Sequence, residues 1–379
     1  MNRKNLFFFS FMLIPAAFLA VLVVLTARDI YATRMIDPKK VYQSVQEHLT
    51  HREVFSFPLP DEIYVQDGSR KSVFVFGSSD VIVSDGVVFP ARLEQQHPEL
   101  RVINLGVMGI DSFLTKRRVS DALSAARPDL IILYMGHNDY NEAYHGVILP
   151  AYFEKFDSLL WLTYLFSTEK PALADASDRY YWFMRRHSPR IYEAFQGLGL
   201  IDIHSDDYLP VNRLILDYFI GNYDAILKLA AAQGIPVIAI TPVGNLRAEP
   251  YGDYRTTTAL YRKGLVEGNY EQSLAYLKKA RDTEILTYDV RAKSPVVEYL
   301  RKINRPGVRV LDLEKILERM HFDFGHSDFL DYVHFNNRTH RLVAEIIYDF
   351  LRENHLAGKG NKAGHKGTTA RDGDRRPPD

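Results

Sequence analysis

The sequence predicts an α/β protein, namely a three-layer α/β/α sandwich around a central parallel sheet of about five strands. Two observations carry this prediction. Short runs rich in Val, Ile, Leu and Phe alternate along the chain with longer segments of helical periodicity. These runs are almost continuously apolar, which is typical of parallel strands buried on both faces. The chain has 379 residues, of which 46% are hydrophobic, so it is long enough to build a sizeable core.

The predicted strands share a composition and a boundary. Each is an apolar run that is bounded on at least one side by Gly, Pro or Asp, residues that favour turns over strands. They are residues 72–76, 101–105, 130–135, 236–241 and 308–311. Helices are predicted at residues 41–48, 211–233 and 339–353, where apolar positions recur at helical spacing.

The N-terminal segment predicts a membrane anchor at residues 1–27. Residues 6–27 contain no ionisable side chain, and as a helix they would span roughly 33 Å, against about 30 Å for a hydrocarbon core. Leu25 stands where a cleavable signal has a small residue, so we expect the anchor to be retained. Arg3 and Lys4 precede it, which favours a single pass through a bacterial inner membrane with the body outside the cytoplasm.

The remaining chain divides into a connector at 28–70, a main domain at 71–356 and a tail at 357–379, whose composition predicts disorder. The main domain carries two insertions. Residues 140–210 are rich in aromatics, which indicates a lid or acyl-binding wall, or alternatively a small core of their own or a membrane contact. Residues 255–300 contain a pattern similar to one tetratricopeptide hairpin, which is too short for a repeat array and is expected to dock on the main domain.

Net charge and cysteine content exclude several classes of function. The 47 basic and 47 acidic residues cancel, so no global field favours nucleic acid as a partner. We expect a neutral or locally recognised substrate. The chain has no cysteine, which excludes disulfides, a thiol nucleophile and thiolate metal sites.

Residues suited to acyl chemistry come after each of the first three predicted strands. Gly77, Ser78 and Ser79 follow the first strand. A strand-to-helix turn exposes a side chain, so Ser79 is the candidate nucleophile, and its own N–H is available to an oxyanion. Gly109 follows the second strand and Asn138 the third; a backbone N–H and a side-chain amide are donors suited to an oxyanion. Because the carboxyl ends of parallel strands meet at one edge, one crevice can hold all three groups.

An acid–base pair lies shortly before the last predicted helix. Asp331 and His334 are three residues apart, so one loop can present both. The imidazole would then reach the serine hydroxyl, while the carboxylate holds the other ring nitrogen and stabilises imidazolium. His340 is the competing histidine, and its position in the helix at 339–353 favours a packing or capping role.

In their order and strand context these blocks resemble those of the SGNH hydrolases, also called the GDSL lipase and acylhydrolase superfamily. The resemblance covers residues 72–351. It implies a flavodoxin-like sandwich, no metal or other cofactor, and ester hydrolysis through an acyl-enzyme. It also implies a catalytic triad of Ser79, Asp331 and His334, and an oxyanion hole of Ser79, Gly109 and Asn138.

The chain departs from the family pattern around the nucleophile. Ser78 stands where the family usually has aspartate, and Asp80 directly follows the nucleophile, which bears on the substrate class. His137, together with Asn245 and Arg247 after the fourth predicted strand, are candidate substrate-binding residues.

The sequence favours a membrane-anchored serine esterase that removes acyl groups, acetyl among them, from a cell-envelope glycan or lipid. The same triad would serve an O-acyltransferase, in which a hydroxyl of a polysaccharide replaces water. A non-catalytic envelope scaffold is the third alternative, and the candidates at all five positions argue against it.

Overall fold

The computed structural model describes residues 3–51, 55–65, 68–167, 183, 187, 190–192, 194–201, 205–250, 256–285 and 291–357. At its centre is a parallel sheet whose five strands are β1 (Lys71–Gly77), β2 (Leu100–Asn104), β3 (Leu130–Tyr134), β4 (Val237–Ile240) and β5 (Val308–Leu311). The strand order is β2-β1-β3-β4-β5, and every pair is parallel. This is the flavodoxin-like order, so the predicted central sheet is confirmed.

Helices cover both faces of this sheet. The described helices are α1 (Arg3–Arg34), α2 (Pro38–Thr50), α3 (Phe89–Gln96), α4 (Ser112–Ala125), α5 (Asn138–Ala143), α6 (Leu149–Phe153), α7 (Asp157–Phe166), α8 (Leu209–Ala232), α9 (Thr256–Val266), α10 (Tyr270–Thr283), α11 (Ser294–Arg301), α12 (Leu313–Arg319) and α13 (Asn337–Glu353).

Alternate strand residues point into two separate hydrophobic cores. Phe74 and Ile131 belong to the first core, together with residues of α2, α4, α8 and α11. Val75 and Ile132 belong to the second, together with residues of α3, α10, α12 and α13. Side chains of a strand alternate between its faces, so these two cores make the three predicted layers. Burial on both faces also explains why β1, β3 and β4 are apolar runs in the sequence.

α1 does not end where its apolar stretch ends. The helix continues to Arg34, and its last turns contact the body of the protein. The backbone N–H of Leu159 donates to Asp29 Oδ2 at 3.3 Å, and Arg34 Nε donates to the carbonyl of Leu200 at 2.6 Å. The part from Pro15 to Arg34 has a mean hydropathy of 1.6 and is long and apolar enough to cross a membrane, by length and composition. The predicted anchor boundary at residue 27 is therefore not a break in the helix.

The described part of the aromatic stretch at 140–210 contributes side chains to the first hydrophobic core. Tyr140, Tyr144, Tyr152 and Tyr208 are buried in the first core. The stretch therefore shares the core of the main body instead of building a separate one. Residues 180–182 of this stretch, and the predicted disordered tail from residue 358 onwards, lie outside the described residues.

α9 and α10 form a hairpin that docks on the second core. Ser273 Oγ donates to the carbonyl of Gly264 at 2.6 Å, and Leu277 is fully buried in that core. Tyr270 ties the hairpin to the chain near α12, because its hydroxyl donates to the carbonyl of Phe322 at 2.9 Å. The two helices lie within residues 255–300, where the sequence contains the tetratricopeptide-like pattern.

Candidate active site

The loops that follow β1, β2 and β3 meet at the carboxyl edge of the sheet. Gly77, the last residue of β1, is paired with Tyr134, the last residue of β3. The N–H of Val107, in the loop after β2, donates to the carbonyl of Gly77 at 3.3 Å. This edge lies where the strand order reverses, between β1 and β3, which is the usual ligand position in such sheets.

Ser79 begins a single 3₁₀ turn (Ser79–Val81) immediately after β1. The close approach of β3 requires glycine at the end of β1, since a Cβ at Gly77 would lie 2.6 Å from the carbonyl oxygen of Tyr134. The carbonyl of Ser79 accepts from the N–H of Val83 at 2.8 Å, which fixes the turn. Ser79 itself is 7% exposed, so its hydroxyl lies at the base of the loops and not on an open surface.

Asp80 is a buried carboxyl beside the candidate nucleophile. Its Oδ1 accepts from the backbone N–H of Ser78 at 2.8 Å. Burial raises the pKa of Asp80 to about 6, against the opposing effects of the Ser78 N–H and of the charge of His334.

The two predicted oxyanion donors are linked to each other. Gly109 has φ +70°, a left-handed conformation that favours glycine, and no heavy atom lies within 4 Å of the position of its missing Cβ. Asn138, at the start of α5, donates from Nδ2 to the carbonyl of Ile110 at 3.0 Å. The amide thereby holds the Gly109 loop, and Nδ2 has a second hydrogen to donate.

Asp331 and His334 form a hydrogen-bonded pair. His334 Nδ1 lies 2.5 Å from Asp331 Oδ2, and Asp331 Oδ1 accepts the N–H groups of both Val333 and His334 at 2.9 Å. Burial acts to raise the pKa of Asp331, but these hydrogen bonds outweigh it and hold the pKa below its usual range. Asp331 is therefore a carboxylate at neutral pH, and it orients the ring so that Nε2 points away from it.

The loop that carries this pair packs on the end of β3. The ring of Phe335 stacks on the ring of Tyr134 with centroids 6.1 Å apart, and Tyr134 is the strand neighbour of Gly77. His334 precedes Phe335 in the chain, so the same contact brings the histidine to the strand end from which Ser79 follows. Thus the structure brings together the loops of Ser79, Gly109, Asn138, Asp331 and His334.

His340 holds the nucleophile loop against α13. Its Nδ1 accepts from the N–H of Phe89 at 3.2 Å, and its Nε2 lies 3.0 Å from the carbonyl of Val83. With both nitrogens used for backbone contacts and the side chain buried, His340 has the packing role that its place in the helix predicts.

His137 is buried and makes a backbone contact. Its Nδ1 accepts from the N–H of Ala292 at 2.9 Å. Burial, and then the charge of His334, lower the pKa of His137 to about 3, so the ring is neutral at physiological pH. It joins the start of α5 to the segment before α11.

Asn245 and Arg247 were predicted to contact substrate, and the structure gives both side chains other partners. Asn245 is completely buried, and its Nδ2 donates to the carbonyl of Asp331 at 2.9 Å. Its backbone N–H donates to the carbonyl of Tyr332 at 2.8 Å. Arg247 Nε forms an ion pair with Asp323 at 3.1 Å. Asn245 thus fixes the Asp331–His334 loop from the loop after β4.

Sequence reasoning missed the two charged residues that support Asn245. Arg291 Nη1 donates to the carbonyl of Asn245, and the guanidinium pairs with Glu284. Both side chains are almost completely buried. No motif marks them, because a single Arg and a single Glu in a segment without periodicity give no signal of a buried pair.

The fold and the site together define a parallel α/β protein that carries a serine, an Asp–His pair and two candidate oxyanion donors at one sheet edge. No protein-family model and no curated protein matches the chain. Among solved structures, it is similar to an acetyl xylan esterase, with 14% identity over 74% of this chain and 99% of the other and a TM-score of 0.36. It is also similar to the lipase/acylhydrolase from Enterococcus faecalis, with 14% identity over 75% of this chain and 96% of the other and a TM-score of 0.36.

A third similar structure is a member of the lipolytic protein G-D-S-L family from Veillonella parvula, with 12% identity over 74% of this chain and 98% of the other and a TM-score of 0.38. Likeness of this degree assigns no activity by itself. The functional proposal therefore depends on the site.

Proposed function

We propose that this chain is a serine esterase of the SGNH hydrolase type that cleaves acyl esters through an acyl-enzyme. The observation that carries the proposal is the Asp331–His334 pair, which is held at the strand end from which Ser79 follows. A hydrogen-bonded Asp–His pair beside a serine on a tight turn is the arrangement that activates a hydroxyl.

In this mechanism the Ser79 hydroxyl attacks the ester carbonyl while Nε2 of His334 takes its proton. Asp331 keeps the proton on Nδ1 and stabilises the imidazolium that forms, which its lowered pKa favours. The imidazolium then protonates the leaving alcohol as the tetrahedral intermediate collapses to the acyl-enzyme. A water molecule, deprotonated by His334, attacks the acyl carbon, and Ser79 recovers its proton as the acid departs.

The oxyanion of each tetrahedral intermediate would accept hydrogen bonds from three donors. These are the backbone N–H groups of Ser79 and Gly109 and the second N–H of the Asn138 amide. One contact and one open position support this assignment. The Asn138 amide is anchored on the carbonyl of Ile110, beside Gly109, and Gly109 has open surroundings. Loss of one such donor costs about 3–4 kcal/mol of transition-state stabilisation.

The substrate we propose is an acyl ester, acetyl included, of a cell-envelope glycan or lipid. α1 supports this location, because it is apolar enough to cross a membrane and is joined to the body by hydrogen bonds of Asp29 and Arg34. We place the body on the extracytoplasmic side of a bacterial inner membrane. A chain without net charge suits a neutral ester group.

A serine-reactive fluorophosphonate tests the enzyme assignment. The full-length protein in detergent should be labelled, and Ser79→Ala and His334→Ala should not be, while circular dichroism confirms that both variants are folded. Ser78→Ala is the matched control, because its hydroxyl is adjacent but bonds Asp80 at 3.3 Å; it should be labelled like the wild type.

Labelling of Ser79→Ala would show that another residue reacts. Folded wild-type protein that takes up no label would favour the non-catalytic scaffold. Once labelling is established, release of acetate from acetylated glycan in water, compared with transfer of acetyl to an added glycan acceptor, separates the esterase from the acyltransferase.

A further inference from the structure

The end of α1 that contacts the body has a polar face and an apolar face. Thr26, Asp29 and Thr33 follow one another at helical spacing; Asp29 and Thr33 are buried, and Thr26 is partly covered. The opposite face is uncovered at its apolar position Val24, which is 65% exposed. The body therefore covers the polar face of this helix and leaves the apolar face open.

α7 runs antiparallel beside this part of α1. Near the N-terminal end of α7, the N–H of Leu159 bonds Asp29. At its C-terminal end, the ring of Phe166 meets the ring of Phe18 edge-on with centroids 6.5 Å apart. From residue 159 to residue 166 a helix rises about 10 Å. α7 therefore follows α1 back toward the apolar segment that is proposed to cross the membrane.

α7 exposes large apolar side chains. Trp161 is 52%, Leu165 43% and Phe166 74% exposed, and residues 158–166 contain no ionisable group other than Tyr164. Exposed apolar groups of this size on adjacent turns mark an interaction surface. This surface is continuous with exposed apolar side chains of α1 through the contact between Phe166 and Phe18, because Phe18 is 52% and its neighbour Leu19 60% exposed.

We propose that α7 is a second membrane element, which lies in the lipid leaflet on the side of the catalytic body, next to α1. The inference rests on the proposed membrane anchoring of α1. If α1 crosses the bilayer, Phe18 lies about 14 Å inside the apolar boundary at Ala27, so the ring of Phe166 that touches it lies among acyl chains. Trp161, one and a half turns earlier in α7, lies near the interface, where tryptophan is enriched.

The occupant of this surface is lipid for a physical reason. The surface is formed by α1 and α7, which together make one apolar band. Its α1 part belongs to a segment with the hydropathy of a membrane span. A fluid acyl-chain environment covers such a band without shape complementarity.

Tryptophan quenching by brominated lipids tests the proposal in the full-length protein reconstituted in phosphatidylcholine vesicles. The chain has two tryptophans, so Trp182→Phe leaves Trp161 as the reporter. Two further reporters are built on Trp161→Phe with Trp182→Phe: Phe18→Trp reads the anchor, and Val266→Trp reads an exposed position of the body, since Val266 is 84% exposed. Acrylamide measures access from water for each reporter.

We expect lipid bromines to quench Trp161 and the Phe18→Trp reporter and to leave the Val266→Trp reporter unchanged, with the reverse order for acrylamide. Quenching at residue 18 without quenching at Trp161 would overturn the inference and keep the anchor. If acrylamide also fails to reach Trp161 in that case, a protein partner covers α7. Absence of lipid quenching at both positions would refute the anchor as well, while fluorophosphonate labelling reports on the esterase independently.

Discussion

Replacement of Asn245 by alanine tests whether the loop after β4 positions the acid–base pair. The change removes two hydrogen bonds of a completely buried side chain, the one from Nδ2 to the carbonyl of Asp331 at 2.9 Å and the one from the N–H of Arg247 to Oδ1 at 3.1 Å. At about 1 kcal/mol net for each bond, the free energy of unfolding should fall by about 2 kcal/mol.

The same change should lower catalysis more than binding. Without the amide, the carbonyl of Asp331 loses its anchor, and a displacement on the order of 1 Å at reacting groups costs about 10²-fold in rate. We expect kcat for p-nitrophenyl acetate to fall by about that factor with KM nearly unchanged, because Asn245 is buried and does not reach the ester. Urea unfolding and steady-state kinetics measure both effects on one preparation.

Asn269→Ala is the control for a loss of stability alone. Asn269 caps α10, where its side chain accepts from the N–H of Gln272 at 3.0 Å, and loss of such a cap costs about 1 kcal/mol. Its kcat should equal that of the wild type. If Asn245→Ala is destabilised as expected but retains the wild-type kcat, the positioning role is wrong and the residue is structural only.

Three further predictions concern the Asp331–His334 pair, the buried carboxyl of Asp80 and the hairpin of α9 and α10. Asp331→Asn keeps an acceptor for the N–H groups of Val333 and His334 but cannot stabilise imidazolium, so kcat should fall by about 10⁴-fold without loss of fold; a small decrease in ester kinetics would contradict the triad. Burial raises the pKa of Asp80 to about 6 from 3.8, so the folded protein loses stability as pH rises through that range. In urea unfolding, Asp80→Asn should therefore be more stable than wild type at about pH 8 but not at about pH 4. An equal stability difference between variant and wild type at the two pH values would refute this. Gly264→Ala places a Cβ 2.7 Å from Leu277 Cγ and should lower the unfolding free energy by about 1–3 kcal/mol. Gly268→Ala, whose Cβ would have no atom within 4 Å, should have little effect. Similar melting curves for the two variants would show that the hairpin is loosely packed.

Local pattern was sufficient for the sheet, since β1, β3 and β4 are buried on both faces and are therefore apolar runs in the sequence. The prediction for the fifth strand, 308–311, matches β5 residue for residue. The local sequence pattern was also sufficient to select residues whose loops meet, because the carboxyl ends of parallel strands share an edge. The resemblance to a known family then supplied roles that spacing alone does not give.

Long-range contacts explain what the sequence did not reveal. The sequence predicts an anchor that ends at residue 27, but α1 continues to Arg34, and Asp29 within it accepts a hydrogen bond from Leu159, 130 residues away. Asn245 looked like a group facing the crevice, but it is turned toward Asp331, 86 residues away. In both cases the local sequence is compatible with an exposed residue, and only the tertiary partner makes burial favourable.

The short link between His334 and His340 has a consequence for how this chain tolerates changes in length. The segment is fixed at one end by the hydrogen bonds of Asp331 and at the other by the contacts of His340 with Val83 and Phe89. The long stretches between β3 and β4, and between β4 and β5, can gain or lose residues while base and nucleophile keep their separation. One residue added within the link would displace the imidazole by up to about 3.5 Å, so insertions and deletions there should be selected against while those in the long stretches accumulate.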